Sequence, residues 1–252
     1  MSCFPGRALW LGLFLGATLT TAMLSAADRP ANGQGAVNPD AQTVDLFEGM
    51  RNGDLAVKFV PKDSREARIT VENKTDKPLN VKLPDSFAGV PVLAQAGGAG
   101  GAAKQPQGGG GGGGGGGMGM GCIPPEKVES FKVPTVCLEH GKTEPHPTVP
   151  YEIRPLDSFT QTPGVDEICR ALGEGKVNQR IAQAVAWHLN NNMSWDQLAA
   201  KRQRHANGSF GPYFTMAEIQ AAIQVSATAQ QAAQQRADQQ PKGSSGSASS
   251  AN

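Results

Sequence analysis

Apolar and polar residues alternate in three short runs. Leu55, Val57 and Phe59 are interleaved with Ala56 and Lys58; Ala67, Ile69 and Val71 with Arg68, Thr70 and Glu72; Leu79, Val81 and Leu83 with Asn80 and Lys82. A period of two places one side of each run in a core and predicts three half-buried strands. Turn residues separate them, at Pro61-Lys-Asp-Ser64 and Asn73-Lys-Thr-Asp-Lys-Pro78, so consecutive strands should pair antiparallel. Three short strands cannot close a core. Their expected partners are Val90–Leu93, Val128–Val133, Val136–Leu138 and Tyr151–Ile153, giving a small antiparallel β-sandwich or partial barrel of six or seven strands over residues 43–160. Just ahead of it, Thr43 is placed to cap a short helical turn through Leu46, Phe47 and Met50, ended by Asn52-Gly53.

Beyond Thr162-Pro-Gly164 the period lengthens. Val165, Ile168, Cys169 and Leu172 fall on one helical face, stopped by Gly173 and Gly175. A second helix is predicted from Asn178, with Ile181, Val185 and His188 or Leu189 on one side and Ala182, Ala184 and Ala186 permitting close approach. Ser194-Trp-Asp-Gln197 and Thr215-Met-Ala-Glu218 are capping boxes, each opening a further helix. The fold class is therefore α+β, with a three- or four-helix region over residues 161–235.

Composition removes much of the rest from a core. Gly accounts for 32 and Pro for 18 of the 252 residues. Residues 95–121 are almost all Gly, Ala and Gln, with ten successive glycines from Gly108 to Gly117, and are expected to form a disordered insertion, because glycine loses most entropy on ordering. A phosphate cradle would need spaced glycines opening a helix, and none follows. Residues 28–42 read as a disordered leader and 236–252 as a disordered tail.

At the start, Arg7 precedes an apolar run from Ala8 to Leu24 and the small residues Ser25-Ala-Ala27, the pattern of a signal peptide cleaved after Ala27. The expected location is secreted or periplasmic. The residue immediately after the cleavage site is Asp28 rather than cysteine, so no lipoprotein anchor is expected, nor a stable membrane anchor after cleavage. The whole chain has 23 Lys plus Arg against 22 Asp plus Glu. Loss of Arg7 leaves equal numbers, which gives no electrostatic basis for binding nucleic acid.

The densest reactive cluster lies between Val128 and Tyr151, where Cys137, Glu139, His140, Glu144 and His146 fall among Pro134, Pro145, Pro147 and Pro150. After cleavage three cysteines remain: Cys122, Cys137 and Cys169. One reading is a disulfide between Cys137 and Cys169, which would staple sheet to helix and, over a 33-residue loop, contribute about 3.7 kcal/mol. Cys122–Cys137 is its nearest competitor. A second reading gathers Cys122, Cys137, His140 and His146 as tetrahedral metal ligands. A third makes Cys137 a nucleophile, with His140 or His188 as base and Glu139 or Glu144 as orienting carboxylate. No other cofactor is implied. The basic run Lys201-Arg202-Gln-Arg204-His205 reads as a solvated helix end, and Asn73, Asn192 and Asn207 begin N-x-Ser/Thr sequons.

Ile69-Thr-Val-Glu-Asn73-Lys-Thr resembles a strand end of secreted bacterial β-sandwich domains. Lys132-Val-Pro-Thr-Val-Cys-Leu-Glu-His-Gly141 with Ala184-Val-Ala-Trp-His-Leu189 is similar to exported proteins of planctomycete-type bacteria. It also resembles secreted thioester-type adhesion domains, which pair a cysteine-bearing strand with a tryptophan-bearing helix. That resemblance would give Cys137 a glutamine partner, and the sequence alone assigns none. The expected function is a non-enzymatic structural or interaction module of the cell envelope, its partner an envelope or extracellular protein. The alternative is a thiol- or metal-dependent enzyme centred on Cys137 and His140.

Overall fold

The structure, a computed structural model, describes residues 37–92, 104–112 and 119–239. The apolar leader with Ala27, the chain up to residue 36, residues 93–103 and 113–118 of the glycine-rich region, and the tail from 240 lie outside the described residues. The fold is α+β. Its first strand, β1 (Gln42–Asp45), runs into α1 (Leu46–Asn52). The cap of α1 is Asp45 rather than Thr43, because its carboxylate accepts from the Phe47 and Glu48 amides. Residues 38–41, read as disordered, are tied down by Asn80, whose carboxamide bonds Asn38 and Ala41.

The strands that follow are β2 (Leu55–Pro61), β3 (Glu66–Asn73), β4 (Leu79–Lys82), β5 (Phe87–Pro91), β6 (Gln107–Gly109), β7 (Met120–Ile123), β8 (Val128–Cys137) and β9 (Tyr151–Pro155). Six of them form a closed antiparallel barrel in the order β2-β3-β8-β6-β5-β9, which replaces the sandwich alternative. The β2–β9 seam closes it at Phe59 opposite Tyr151. The alternation read in the sequence points Phe59, Ile69 and Val71 inward, and the Phe59 ring meets Phe87 at 5.8 Å and Tyr151 at 6.0 Å between centroids. The third expected strand leaves the barrel. Strand β4 sits between β1 and β7 in a separate three-stranded sheet, pairing parallel to β1 and antiparallel to β7.

The glycine-rich region is not wholly a disordered insertion. Residues 104–112 are ordered, β6 lies between β5 and β8, and residues 120–123 form β7. Asn73 is buried, and its amide group donates to the Lys77 and Ile123 carbonyls at 2.7 and 3.0 Å, so the first sequon is spent on structure.

A second core lies between the barrel and the helices α2 (Val165–Gly173), α3 (Gln179–Asn191), α4 (Trp195–Ala200) and α5 (Met216–Gln239). Both capping boxes form. Between α4 and α5 the chain makes a hairpin, β10 (Arg202–Arg204) with β11 (Phe210–Pro212), so of the basic run Lys201 ends α4 as its C-cap and Arg202–Arg204 form a strand. No described helix is long and apolar enough to cross a membrane. One end of α5 is fastened through Asp166 on α2, which accepts from Ser86, Arg170 and Arg236. Burial works to raise the Asp166 carboxyl, and these partners outweigh it and hold it below the usual range.

Candidate functional site

Barrel and helices meet along one edge of β8. Strand β6 covers its other edge, so residues 135–140 face α3 with main-chain groups that need partners. Helix α3 supplies carboxamides for them. Gln179 donates to the Thr135 carbonyl at 3.0 Å and Asn190 to the Leu138 carbonyl at 2.8 Å, while Asn191 accepts from the His140 amide at 3.1 Å. Gln183 makes the central contact. Its Oε1 accepts from the Cys137 amide at 2.8 Å, and its Nε2 donates to the Cys137 carbonyl at 2.9 Å. Both residues are buried.

Cys137, Cys169 and Cys122 are free thiols, which corrects the expected disulfide. The reason is strand alternation. Cys169 Sγ packs at Gly108 together with the methyl groups of Leu138, so Leu138 faces α2. Its neighbour Cys137 is turned away, with Sγ 3.9 Å from the Ser64 carbonyl. Burial pushes both thiols above their ordinary range. Glu144 and Asp63 add to the effect at Cys137, and Asp166 and Glu167 at Cys169.

The four metal candidates do not converge. Cys122 lies opposite Asn80 in the three-stranded sheet. His146 is exposed, with Nδ1 2.9 Å from the Thr148 hydroxyl. His140 stands edge-on to Trp187, and its Nε2 is 2.8 Å from Lys201 Nζ. Among the described residues no three His, Cys, Asp or Glu side chains are grouped as a metal site. His140 is likewise not paired with a thiol, and His188 is bonded to the Met193 carbonyl and stacked on Trp195.

Lys201 donates to His140 and lies over two rings, 5.1 Å from Trp187 and 5.3 Å from Tyr213. The His140 imidazole is held below its usual pKa by burial and then by Lys201. A base with a depressed folded pKa favours folding while neutral. That contribution is present above about pH 6.5 and lost as pH falls from there through the folded value. We expect the unfolding temperature to drop between about pH 7 and about pH 5, and His140→Asn to shrink the drop. Asp166 and Glu218, whose carboxyls are held low, act only further down. An equal drop in both proteins would place the titration elsewhere.

Beside Gln183 opens a polar cavity of about 190 Å³. Ser64 and Arg65 line it from the β2–β3 turn, Glu144 from the loop after β8, Arg180 from α3, and Tyr213 from the segment before α5. Arg180 is held by Glu218 at 2.5 Å and by the Tyr213 carbonyl. The Tyr213 hydroxyl is pushed up to about 12, chiefly by burial and then by Glu144 and Cys137, and stays protonated. Sequence reasoning named Cys137, His140 and Glu144, read Lys201 only as part of a solvated helix end, and missed Gln183 and Tyr213. Gln183 carried a signal: it is the one polar side chain in the fully buried stretch Ala182–Trp187 of α3, where an amide needs a specific partner.

Comparison of the chain with protein-family models, with curated proteins and with solved structures finds no match.

Proposed function

We propose that the protein is an exported, non-enzymatic interaction module of the cell envelope that holds its partner covalently, through a thioester between Cys137 and Gln183. The observation that carries this is the two-point contact of the Gln183 carboxamide with the Cys137 main chain. It holds the side-chain amide of Gln183 against the main chain of Cys137, the residue whose thiol would attack it. Holding reactants at one another's side removes much of the entropic barrier to such a step.

In the reaction Sγ bonds to the side-chain carbonyl carbon of Gln183. The C–N bond breaks, the thiol proton passes to the leaving nitrogen, and ammonia departs. No oxidant or metal is needed. Cys137 and Gln183 are both buried, so the thioester would meet solvent through the cavity beside Gln183. A primary amine of the partner that reaches the carbonyl carbon displaces Cys137, leaving an amide cross-link and a restored thiol. The resemblance to thioester-type adhesion domains points the same way. The enzyme reading needs His140 or His188 as a base; Lys201 and Trp187 engage the first ring, and the Met193 carbonyl and Trp195 the second.

The test is the intact mass of the mature exported protein before and after incubation with methylamine. We expect a chain one ammonia lighter than its sequence, which gains one methylamine and loses both properties in Cys137→Ala. A mass equal to the sequence with no methylamine adduct would sink the thioester. A chain two hydrogens lighter and reducible would restore the disulfide.

A further inference from the structure

Resting on that reading, we infer that the cavity beside Gln183 selects an amine that carries a carboxylate on the same molecule, docking the ammonium on Glu144 and the carboxylate on Arg65. Three features support this. The cavity is bordered by Gln183 itself, so a molecule seated there lies next to the proposed acyl carbon. At about 190 Å³ its volume equals that of roughly six waters, enough for the charged head of an amino acid and too small for a folded surface. Its charges are also unequally occupied. Arg180 is engaged by Glu218 and the Tyr213 carbonyl, and Lys201, which lies within the field of Glu144, donates to His140. Glu144 and Arg65 are in no ion pair among the described residues, and both side chains are exposed to solvent at the cavity.

A pocket with one available carboxylate and one available guanidinium disfavours a simple cation, which Arg65 repels, and a simple anion, which Glu144 repels. A zwitterion satisfies both. Tyr213 lies between these influences, its hydroxyl raised by Glu144 and lowered by Arg65, and it can donate a hydrogen bond to the carbonyl oxygen as the amine adds. When the ammonium reacts, its nitrogen bonds to the Gln183 carbonyl carbon and the C–S bond breaks. Cys137 Sγ takes one proton and a second leaves to solvent past the exposed Glu144.

The experiment measures capture rates by intact mass, for ω-amino acids from glycine to 6-aminohexanoate and for n-alkylamines of matching length. We expect at least one amino acid to be captured about tenfold faster than its alkylamine, the preference that one charge-assisted contact gives. Arg65→Gln should collapse that ratio. Glu144→Gln should lower the ratio of butylamine to hydroxylamine capture about tenfold, since hydroxylamine is uncharged at neutral pH, and Glu144→Asp should restore part of it. Methylamine capture without any amino-acid preference, or a preference that survives Arg65→Gln, would overturn the inference and leave the thioester standing. Should the wild-type protein hold no thioester, reversible binding of 6-aminohexanoate is read by NMR. Binding weakened by Arg65→Gln supports the pocket, and no binding ends it.

Discussion

Gln183→Ala should abolish the ammonia-deficient mass and lower the unfolding free energy by about 5–7 kcal/mol. Two losses combine. A bond between Cys137 and Gln183 closes a loop spanning 46 positions, which in the chain-entropy model stabilises by about 4 kcal/mol. Alanine also leaves the buried Cys137 amide without its acceptor, a further cost of about 1–3 kcal/mol. Cys137→Ala should show only the first loss. Methylamine treatment of the unaltered protein gives the same separation without a mutation, because it opens the cross-link and keeps the rest. Denaturant titrations of the three proteins check the order: wild type, then methylamine-treated and Cys137→Ala together, then Gln183→Ala. If Cys137→Ala unfolds at the same denaturant concentration as wild type, no cross-link joins these residues.

The same contact explains why the reactive pair sits at a seam rather than in a cleft. Residues 135–140, the end of β8 and the segment just after it, carry main-chain groups that α3 must satisfy with side chains, and Gln179, Gln183, Asn190 and Asn191 do so from one helix. A glutamine there has a structural task before any chemical one. That task holds it in place while the bond forms. It also separates the roles of the cluster that looked like one site in the sequence. Cys137 points toward Ser64, Leu138 toward α2, and His140, beyond the strand end, toward Trp187 and Lys201.

Local signals in the sequence were legible where the chain satisfies itself. Alternation located β2, β3 and β8, and the capping boxes at Ser194 and Thr215 located α4 and α5, because period and cap chemistry act over a few residues. Signals that depend on distant partners were not. Asp45 displaced Thr43 as a cap only because Gln42–Asp45 pairs with β4. Arg202-Gln-Arg204 became a strand because Phe210–Pro212 returns beside it. The expected Cys137–Cys169 bridge placed both cysteines near the sheet–helix junction, but adjacent strand positions face opposite ways, and the facing residue is Leu138.

The glycines at 108–112 are where reading by composition failed most, and they carry the second large prediction. Glycine's entropy cost argues for disorder only if nothing needs a chain without side chains. Here two layers do. A Cβ on Gly110 would lie 2.6 Å from the Cys169 carbonyl oxygen and 2.7 Å from that of Asp85, and one on Gly173 would lie 2.5 Å from the Gly110 carbonyl carbon. Helix α2 therefore rests on bare backbone, and Gly111 donates to the Pro84 carbonyl at 3.0 Å. Gly110→Ala should cost about 3 kcal/mol and Gly110→Val more, since main-chain atoms on both sides cannot move aside without parting α2 from the barrel. Gly211→Ala is the control. Its nearest obstacle is the end of the exposed His205 ring, at 2.5 Å, which can swing away for less than about 1 kcal/mol. Thermal or denaturant midpoints of the three variants decide it. Gly110→Ala as stable as wild type would return this stretch to the loop that its composition describes, whereas the expected loss makes it the thin layer that brings α2 against β6 and β8.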